Sequence, residues 1–284
     1  MAQEWTEVAD GCWVRRYAEW DVNVGVVAGS AGTLVVDTRG TRQQGESLRE
    51  DVRRLLPHAP VRWVVNTHVH FDHTFGNIAF DDALVHGHEN AAAGLGAEAE
   101  RVRRAARDDD AGDPLDRQVA ETPLRRPDRT FSSVATVDLG DRYVELLHPG
   151  RGHTDGDLLV RLPDADVVFA GDLVEESAPP SYGEDCFPLE WPGSLDVAVG
   201  VLTAGTRVVP GHGAVVDLDF VRDQSTGIAE VANTIGGLVH AGVPLESAAA
   251  RGDWPWDPEH LRHAIRRGYA HAAGPPGRLP LVGD

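Results

Sequence analysis

The sequence predicts a mixed α/β fold, and two features of its pattern support that class. Short apolar runs typical of β-strands recur from residue 12 to residue 210, and amphipathic stretches with helical spacing lie between and after them. The chain of 284 residues is 42% hydrophobic, which is enough to bury the core of one large domain. We therefore expect a main domain over residues 1–216 and a helical extension over 217–284 that packs on it.

The first third of the chain predicts a strand meander followed by a strand, a helix and another strand. Strand-like runs cover residues 12–17, 22–28 and 33–37, and Gly, Asn and Ser residues between them indicate turns. The stretch 41–56 has apolar residues near helical spacing and stops at a proline, so we expect a helix there. The run 61–65 predicts the next strand, and a histidine-rich segment follows it directly.

The rest of the chain predicts more strands and then helices. Further strands are expected at 134–139, 143–147, 158–162, 167–170 and 207–210. Helical patterns cover 217–240 and 259–271. Charges and prolines dominate residues 101–130, which we interpret as a solvated insertion, although a calcium loop or a substrate lid is the alternative.

Composition limits the classes of partner. The net charge of −19 repels phosphate backbones and anionic membrane surfaces, and no lysine occurs in the chain. No apolar stretch is long enough to span a bilayer, and the N-terminus lacks the features of a secretion signal. Cys12 and Cys186 are too few for a disulfide framework. We expect a cytoplasmic protein that acts on a small molecule, with neither nucleic acid nor membrane as a partner.

The histidine-rich segment after the strand at 61–65 is the densest group of chemically active side chains. In an extended segment, His68 and His70 lie two residues apart and point to the same side, so both can bind one metal ion. Asp72 and His73 then face a neighbouring position. Core packing does not explain three imidazoles and a carboxylate placed so close together, because burying polar groups is unfavourable. Metal binding or catalysis explains the cluster.

Three later residues extend this group. His153 lies in the glycine-containing, turn-forming segment Gly152-His153-Thr154-Asp155-Gly156, where it can supply a third imidazole to the first ion. Asp172 and His212 each follow a predicted strand, at loop positions where α/β folds place their chemistry. Asp172 can bridge two ions.

In their order along the chain, these residues resemble the metallo-β-lactamase superfamily. Its hallmark is His-x-His-x-Asp-His, followed by a separate His, an Asp and a final His. The likeness includes Val35-Val36-Asp37-Thr38, Gly171-Asp172 and Gly211-His212-Gly213, and it spans residues 11–216. It implies an αβ/βα four-layer sandwich with metals at one edge of the two sheets and extra helices at the C-terminus.

The resemblance implies two zinc ions, with Fe²⁺ or mixed metals as the alternative. The implied ligands are His68, His70 and His153 for the first ion, Asp72, His73 and His212 for the second, and Asp172 for both. Asp37 either holds a ligand imidazole by its other nitrogen or caps a turn.

The implied reaction is a hydrolysis. A water shared by two zinc ions loses a proton near neutral pH, and the resulting bridging hydroxide attacks a carbonyl, with Asp72 as the catalytic residue that orients it. Aspartate at position 172 resembles the glyoxalase II and lactonase branches, so we expect a thioester, a lactone or a related carbonyl substrate. A β-lactam hydrolase is the alternative. A persulfide dioxygenase, with one iron held by two His and one Asp, is the alternative from another class.

Candidate substrate contacts lie beyond Asp172. Tyr182, Phe187 and Trp191 are expected to line a pocket, with ordinary packing under a loop as the alternative. Arginines at 262–267 either grip an anionic tail, such as the carboxylates of glutathione, or are simply solvated. Apolar residues around 254–256 either form a homodimer interface or cover the core.

Overall fold

The computed structural model describes residues 4–108 and 113–272 of the chain, and within them two β-sheets form the centre of the molecule. The first sheet contains, in spatial order, β1 (Thr6–Ala9), β2 (Cys12–Arg16), β3 (Asn23–Gly29), β4 (Gly32–Val36), β5 (Val61–Val65), β6 (Leu84–His88) and β7 (Arg129–Phe131). Strands β1 to β4 are antiparallel, whereas β4 to β7 run parallel.

The second sheet completes the pair. Its strands, again in spatial order, are β12 (Arg207–Pro210), β11 (Val167–Gly171), β10 (Leu159–Leu162), β9 (Tyr143–Leu147) and β8 (Val134–Asp138). The pairs from β8 to β11 are antiparallel, and β12 joins β11 in parallel. The predicted strands therefore form, within one or two residues of the expected ends.

Helices cover the outer faces of the sheets. The described residues contain α1 (Arg42–Leu55), α2 (Phe71–Thr74), α3 (Glu89–Asp108), α4 (Pro114–Glu121), α5 (Trp191–Val201), α6 (Leu218–His240), α7 (Leu245–Arg251) and α8 (Arg262–Ala272). Helix α1 begins where the Thr41 hydroxyl accepts a hydrogen bond from Gln44 N, which satisfies an otherwise unpaired amide.

Apolar side chains divide the molecule into four layers. Leu34 and Phe169 belong to the core cluster between the two sheets. Leu48 of α1 packs on the outer side of the first sheet, and Leu195 of α5 and Ile228 of α6 pack on the outer side of the second. Each of these leucines is fully buried and contributes roughly 2 kcal/mol of burial free energy. The order helix, sheet, sheet, helix confirms the predicted fold class.

The segment 101–130 contains more regular structure than its charges indicate. Residues 101–108 end helix α3, and α4 follows at 114–121. Leu95, Val102 and Val119 are buried together in a small apolar cluster. The spacing of small and apolar residues on α3 continues a helix despite the arginines between them. Two of the three aspartates at 108–110 lie outside the described residues.

The C-terminal helices pack on the second sheet's helical layer. Ile235 of α6 and Ile265 of α8 belong to the same core cluster as Leu195. Trp254 and Trp256 are partly buried against that cluster, so they cover the core on this chain. The boundary at residue 216 and the homodimer stay predictions. Among the described residues, no helix combines the length and apolar character needed to cross a membrane.

Candidate metal centre

The predicted ligand residues converge because strands of both sheets end beside one another. His68 and His70 lie between β5 and α2, Asp172 follows β11, and His212 follows β12. The two sheets meet here directly, since Val22 and His212 form an isolated antiparallel bridge.

Four side chains form the first of two groups. The ligand atoms of His68, His70, His153 and Asp172 all lie within 4.8 Å of one another. His153 Nε2 is 2.8 Å from His70 Nδ1 and 3.3 Å from Asp172 Oδ2. His68 Nε2 is 3.7 Å from the same oxygen. Three nitrogens and one oxygen thus face a common centre.

Three side chains form the second group, which consists of Asp72, His73 and His212. The Nε2 atoms of the two imidazoles are 3.4 Å apart. Asp72 Oδ2 lies 3.5 Å from each of them. All three side chains are largely buried, which leaves a carboxylate and two imidazoles enclosed together.

Asp172 lies between the two groups. Its Oδ1 is 3.2 Å from His73 Nε2, and its Oδ2 is 3.3 Å from the Nε2 atoms of both His153 and His212. Gly211 makes this position possible, because a Cβ there would stand 1.8 Å from Asp172 Oδ1. The carboxylate therefore reaches both groups through a gap that a side chain would close.

The donor set fits a pair of divalent metal ions. His68 Nε2 and Asp172 Oδ1 are buried and make no hydrogen bond of good geometry with the described residues, although Asp172 Oδ1 lies 3.2 Å from His73 Nε2. Leaving such atoms unpaired costs on the order of 1–3 kcal/mol each, so buried polar atoms without partners call for an explanation. Imidazole nitrogen and carboxylate oxygen are ligands that Zn²⁺ accepts, and a bound ion would satisfy both atoms.

Hydrogen bonds at the outer nitrogens fix the direction of most of the rings. His153 Nδ1 is 2.9 Å from the carbonyl of Ser181, and His212 Nδ1 is 2.7 Å from the carbonyl of Trp20. A carbonyl only accepts, so Nδ1 carries a proton and Nε2 is the nitrogen that faces the ligand group. His68 Nδ1 lies 3.1 Å from the hydroxyl of Thr67.

Asp37 holds His73 from the interior. Its Oδ2 is 2.8 Å from His73 Nδ1, and its two oxygens also accept hydrogen bonds of 2.8 Å from the amide and the hydroxyl of Thr67. Its backbone has φ of +64°, a left-handed conformation that is rare outside glycine and asparagine. Of the two roles expected for Asp37, contact with an imidazole is the one that the structure shows.

His70 has the opposite ring orientation, with Nδ1 towards the group and Nε2 towards Asp185. The Asp185 oxygens lie 3.1 and 3.4 Å from His70 Nε2. Burial opposes a charge on the ring, but the hydrogen bond and charge of Asp185 raise the pKa of His70 to about 9. Burial likewise opposes ionisation of Asp185, yet His70 holds the pKa of this carboxyl well below its usual range. Sequence reasoning missed Asp185.

The remaining imidazoles differ in proton affinity without metal. Burial lowers the pKa of His212, but the negative charge of Asp172 more than offsets it and raises the value to about 10. The same opposition raises the pKa of His73 well above its usual value. Burial dominates for His153, whose pKa falls to about 4, and for His68, where the charge of His73 adds to it.

Glu175 is a second acid that sequence reasoning missed, and unlike Asp185 it is buried. It is 8% exposed and lines the cavity above the metal groups. Burial and the nearby charge of Asp172 raise its pKa to about 7. Its carboxylate accepts a 3.1 Å hydrogen bond from the amide of Ser181, the residue whose carbonyl accepts from His153. Glu175 thus helps to fix the backbone beside the first group.

A cavity of about 720 Å³ opens over both groups. Its floor includes His70, Asp72, His153, Asp172 and His212, and its walls include Trp20, Phe71, Arg101, Arg104, Tyr182, Glu184, Arg262 and His263. The volume lies within the usual range of small-molecule sites.

Of the three aromatic residues expected in the pocket, the structure brings Tyr182 alone into the cavity wall. Trp191 is fully buried and donates a 3.3 Å hydrogen bond to the carbonyl of Leu173, because it begins helix α5 and faces the core. Phe187 stacks on His271, with ring centroids 5.2 Å apart. For Phe187 and Trp191, this corrects the expectation in favour of ordinary packing under a loop.

Comparisons with known proteins agree with this geometry. Residues 17–222 match the model of a family described as the Metallo-beta-lactamase superfamily. A metallo-beta-lactamase type 2 from Bacillus sp. (strain 170) is 26% identical over 190 residues, which are 66% of this chain and 65% of the relative. The acyl-coenzyme A thioesterase MBLAC2 from Homo sapiens is 26% identical over 217 residues, 67% of this chain and 72% of the relative.

Solved structures share the fold. A metallo-beta-lactamase from Pontibacter korlensis has a TM-score of 0.64 and 23% identity, covering 80% of this chain and 99% of its own. The sec-alkylsulfatase Pisa1 from Pseudomonas sp. has a TM-score of 0.76 and 17% identity, covering 96% of this chain and 50% of its own. At these identities, the likeness concerns the fold alone. The second match extends over nearly the whole chain.

Proposed function

This chain belongs to the metallo-beta-lactamase superfamily, and from that premise we propose that it is a zinc-dependent hydrolase that cleaves a thioester. The observation that carries the proposal is the pair of adjacent donor groups at the floor of an open cavity, joined by Asp172. Two groups favour a dinuclear hydrolase over a mononuclear iron dioxygenase, which needs only two imidazoles and one carboxylate.

The proposed ligands follow the two groups. They are His68, His70 and His153 for one ion, Asp72, His73 and His212 for the other, and Asp172 for both. When bound, the ions would supply an acidified water molecule and polarise the substrate carbonyl. The outer hydrogen bonds of the imidazoles keep the rings in place, so the protein reorganises little when metal enters.

Asp72 is the residue that we assign to the attacking water. It lines the cavity, and its Oδ2 is 3.5 Å from both His73 Nε2 and His212 Nε2. A carboxylate at this position accepts a hydrogen bond from a water molecule in the cavity and orients it towards the substrate. Trp20 and Phe71, whose ring centroids are 5.0 Å apart, form an apolar part of the wall that limits access of bulk water.

Two observations support a thioester as the substrate class. The similarity to the MBLAC2 thioesterase covers 72% of that protein. Arg104 and Arg262 line the cavity of a chain whose net charge is −19, and they suit a substrate with a negatively charged carrier group, whereas Arg101 in the same wall is already paired with Glu98 at 2.6 Å. Coenzyme A and glutathione are carriers of that kind.

The test is steady-state hydrolysis by zinc-loaded protein. The panel consists of a short acyl-coenzyme A, a glutathione thioester, an acyl-homoserine lactone and a β-lactam. We expect the thioesters to be the best substrates and Asp172→Ala to lower kcat/KM by at least about 100-fold. Asp223→Asn, at an exposed position on α6 outside the cavity lining, removes one negative charge and serves as the control.

The similarity to the Bacillus enzyme makes β-lactam hydrolysis the second candidate. Preferential turnover of the β-lactam or the lactone would replace the thioester assignment while retaining the metal centre. Oxygen consumption with a persulfide by iron-loaded protein, without hydrolysis of any panel member, would overturn the hydrolase proposal.

A further inference from the structure

We propose that helix α8 positions the first metal group through Arg267 and Asp185. Arg267 holds the loop that carries Asp185, and Asp185 directs the ring of His70 so that Nδ1 faces the metal. Both are positioning residues, since neither lies among the seven proposed ligands. The inference rests on the metal centre proposed above and adds a role for the C-terminal helix.

The ring of His70 needs a partner of this kind. Its Nδ1 is 2.8 Å from His153 Nε2, inside the first group, so Nδ1 must be unprotonated to bind a metal ion. Asp185 lies 3.1 Å from Nε2 and can only accept when ionised. The proton therefore belongs on Nε2, and the lone pair belongs on Nδ1. A carboxylate behind a metal-bound imidazole also raises the basicity of the ligand.

Asp185 depends on tertiary contacts for its position. It lies in residues 177–190, which contain neither helix nor strand, so no ladder of backbone hydrogen bonds holds it. Arg267 of α8 supplies two of the contacts: its Nε donates to the carbonyl of Cys186 at 2.8 Å, and its Nη2 donates to that of Asp185 at 3.3 Å. His260, just before α8, lies 2.9 Å from the carbonyl of Pro180.

Stacking reinforces the same contact. The guanidinium of Arg267 lies 5.1 Å from the centroid of the Phe187 ring, and the ring of His271 stacks on Phe187 at 5.2 Å. Arg267 and His271 are four residues apart, so they present one face of α8 to the loop. On its other side, α8 packs closely on the core. A Cβ added to Gly268 would lie 2.8 Å from Ile235 of α6. A packed helix thus fixes the loop that fixes His70.

The exposure of Asp185 separates orientation from stability. Its side chain is 43% exposed although that of His70 is 13% exposed, so water screens this pair and its contribution to the free energy of unfolding is smaller than that of a fully buried pair. A purely structural role would instead lower the melting temperature of the metal-free protein and leave metal affinity unchanged. Orientation of His70 predicts the reverse: little change in melting temperature of the metal-free protein and a clear loss of affinity.

The experiment measures zinc affinity of the full chain by competition with a chromophoric chelator, with melting temperatures of the metal-free proteins as the folding check. Asp185→Ala is expected to weaken the binding of one of the two zinc ions by about 10–100-fold. The affinity for the other ion is expected to change by no more than a few-fold. Asp185→Asn is expected to lose less, because its amide oxygen still accepts from Nε2. Glu184→Gln removes a neighbouring cavity charge and is expected to change affinity least.

A double-mutant cycle tests the route through α8. Arg267→Ala is expected to weaken the same zinc several-fold, and to add little when Asp185 is already alanine, because both act on His70. Arg266→Ala, at an exposed position on the same helix, is the matched control. The visible spectrum of the cobalt-substituted protein is expected to change in Asp185→Ala, since the ligand geometry changes.

The outcomes are distinct. Unchanged zinc affinity in Asp185→Ala, or an equal loss in Glu184→Gln, would overturn the positioning role while leaving the proposed hydrolase intact. Additive losses in the double mutant would remove Arg267 from the route. Wild-type protein that binds no zinc would overturn the metal centre itself.

Discussion

The two donor groups are supported in different ways, although Asp172 joins them. In the second group, His73 is held by Asp37, whose side chain is 3% exposed at the end of an interior strand. In the first group, His70 is held by Asp185, whose side chain is 43% exposed on an irregular loop. A buried hydrogen bond is stronger and moves less than one that water can replace. We therefore expect the second group to be the more rigid and the first to be the more adjustable.

The largest effect is expected where both groups fail together. Gly211→Ala places a Cβ 1.8 Å from Asp172 Oδ1, so the carboxylate must move away from both groups. We expect bound zinc to fall at both sites and hydrolysis to drop by about 100-fold or more. Metal content by mass spectrometry and kcat/KM provide the measurements.

Gly236→Ala is the control for that variant, since a Cβ at this position of α6 meets no atom within 4 Å. It is expected to retain both zinc ions and to raise stability by about 0.5–1 kcal/mol, because glycine is a poor helix former. A Gly211→Ala protein with full zinc content would show that the close approach of Asp172 is unnecessary.

The second-largest effect is expected from removing the support of His73 in the second group. Asp37→Asn keeps the size of the side chain and tolerates its left-handed backbone, but a neutral amide cannot accept all three hydrogen bonds from Thr67 and His73. We expect weaker zinc binding, together with a loss of about 1–3 kcal/mol in the free energy of unfolding. Asp185→Asn is expected to leave stability nearly unchanged. Equal destabilisation by the two variants would contradict the difference between the groups.

Metal binding is expected to strengthen with pH. Without metal, His70 has a pKa of about 9 and His212 of about 10, so both carry protons at pH 7 that an incoming ion must displace. His153, with a pKa of about 4, competes only in acid. Zinc affinity should therefore rise from pH 6 to pH 9. Calorimetry in buffers of different ionisation enthalpy should detect proton release, and pH-independent affinity would contradict the assignment.

The smallest effect should come from the cavity wall. Arg104→Ala removes a cation without touching either donor group, so it is expected to raise KM for an acyl-coenzyme A several-fold with little change in kcat. A pantetheine thioester, which lacks the nucleotide phosphates, is the matched control substrate. An equal change for both substrates would argue against a charge contact.

The convergence of the seven proposed ligands was predictable because most of them stand in a short motif directly after an apolar strand. His68 follows β5, Asp172 follows β11 and His212 follows β12, so local pattern and tertiary position coincide. Most strands were predictable for the same reason. Strand β6 was missed because its sequence, Leu-Val-His-Gly-His, shows no clear alternation. Helix α3 was missed because Leu95 and Val102 are the only large apolar residues on a face that otherwise consists of small residues.

The supporting contacts could not be predicted in this way. Asp185 is 115 residues from His70 in sequence and belongs to no regular element, so no periodic pattern connects them. The Ser181 and Trp20 contacts with the imidazoles are made by backbone carbonyls, which leave no trace in residue identity. Aromatic content alone also could not distinguish Tyr182, in the cavity wall, from Trp191, in the core.

The contacts between α8 and the loop that carries Asp185 also determine how much of the chain the metal centre requires. The family match ends at residue 222, and every proposed ligand lies before that point. A shortened chain cut there would keep the recognisable motif, yet it would lose His260 and Arg267 and uncover the apolar face of α5. The shortest segment that contains the family motif is thus shorter than the shortest segment expected to hold the proposed ligands in place. A minimal catalytic core of this protein should therefore retain the chain through α8.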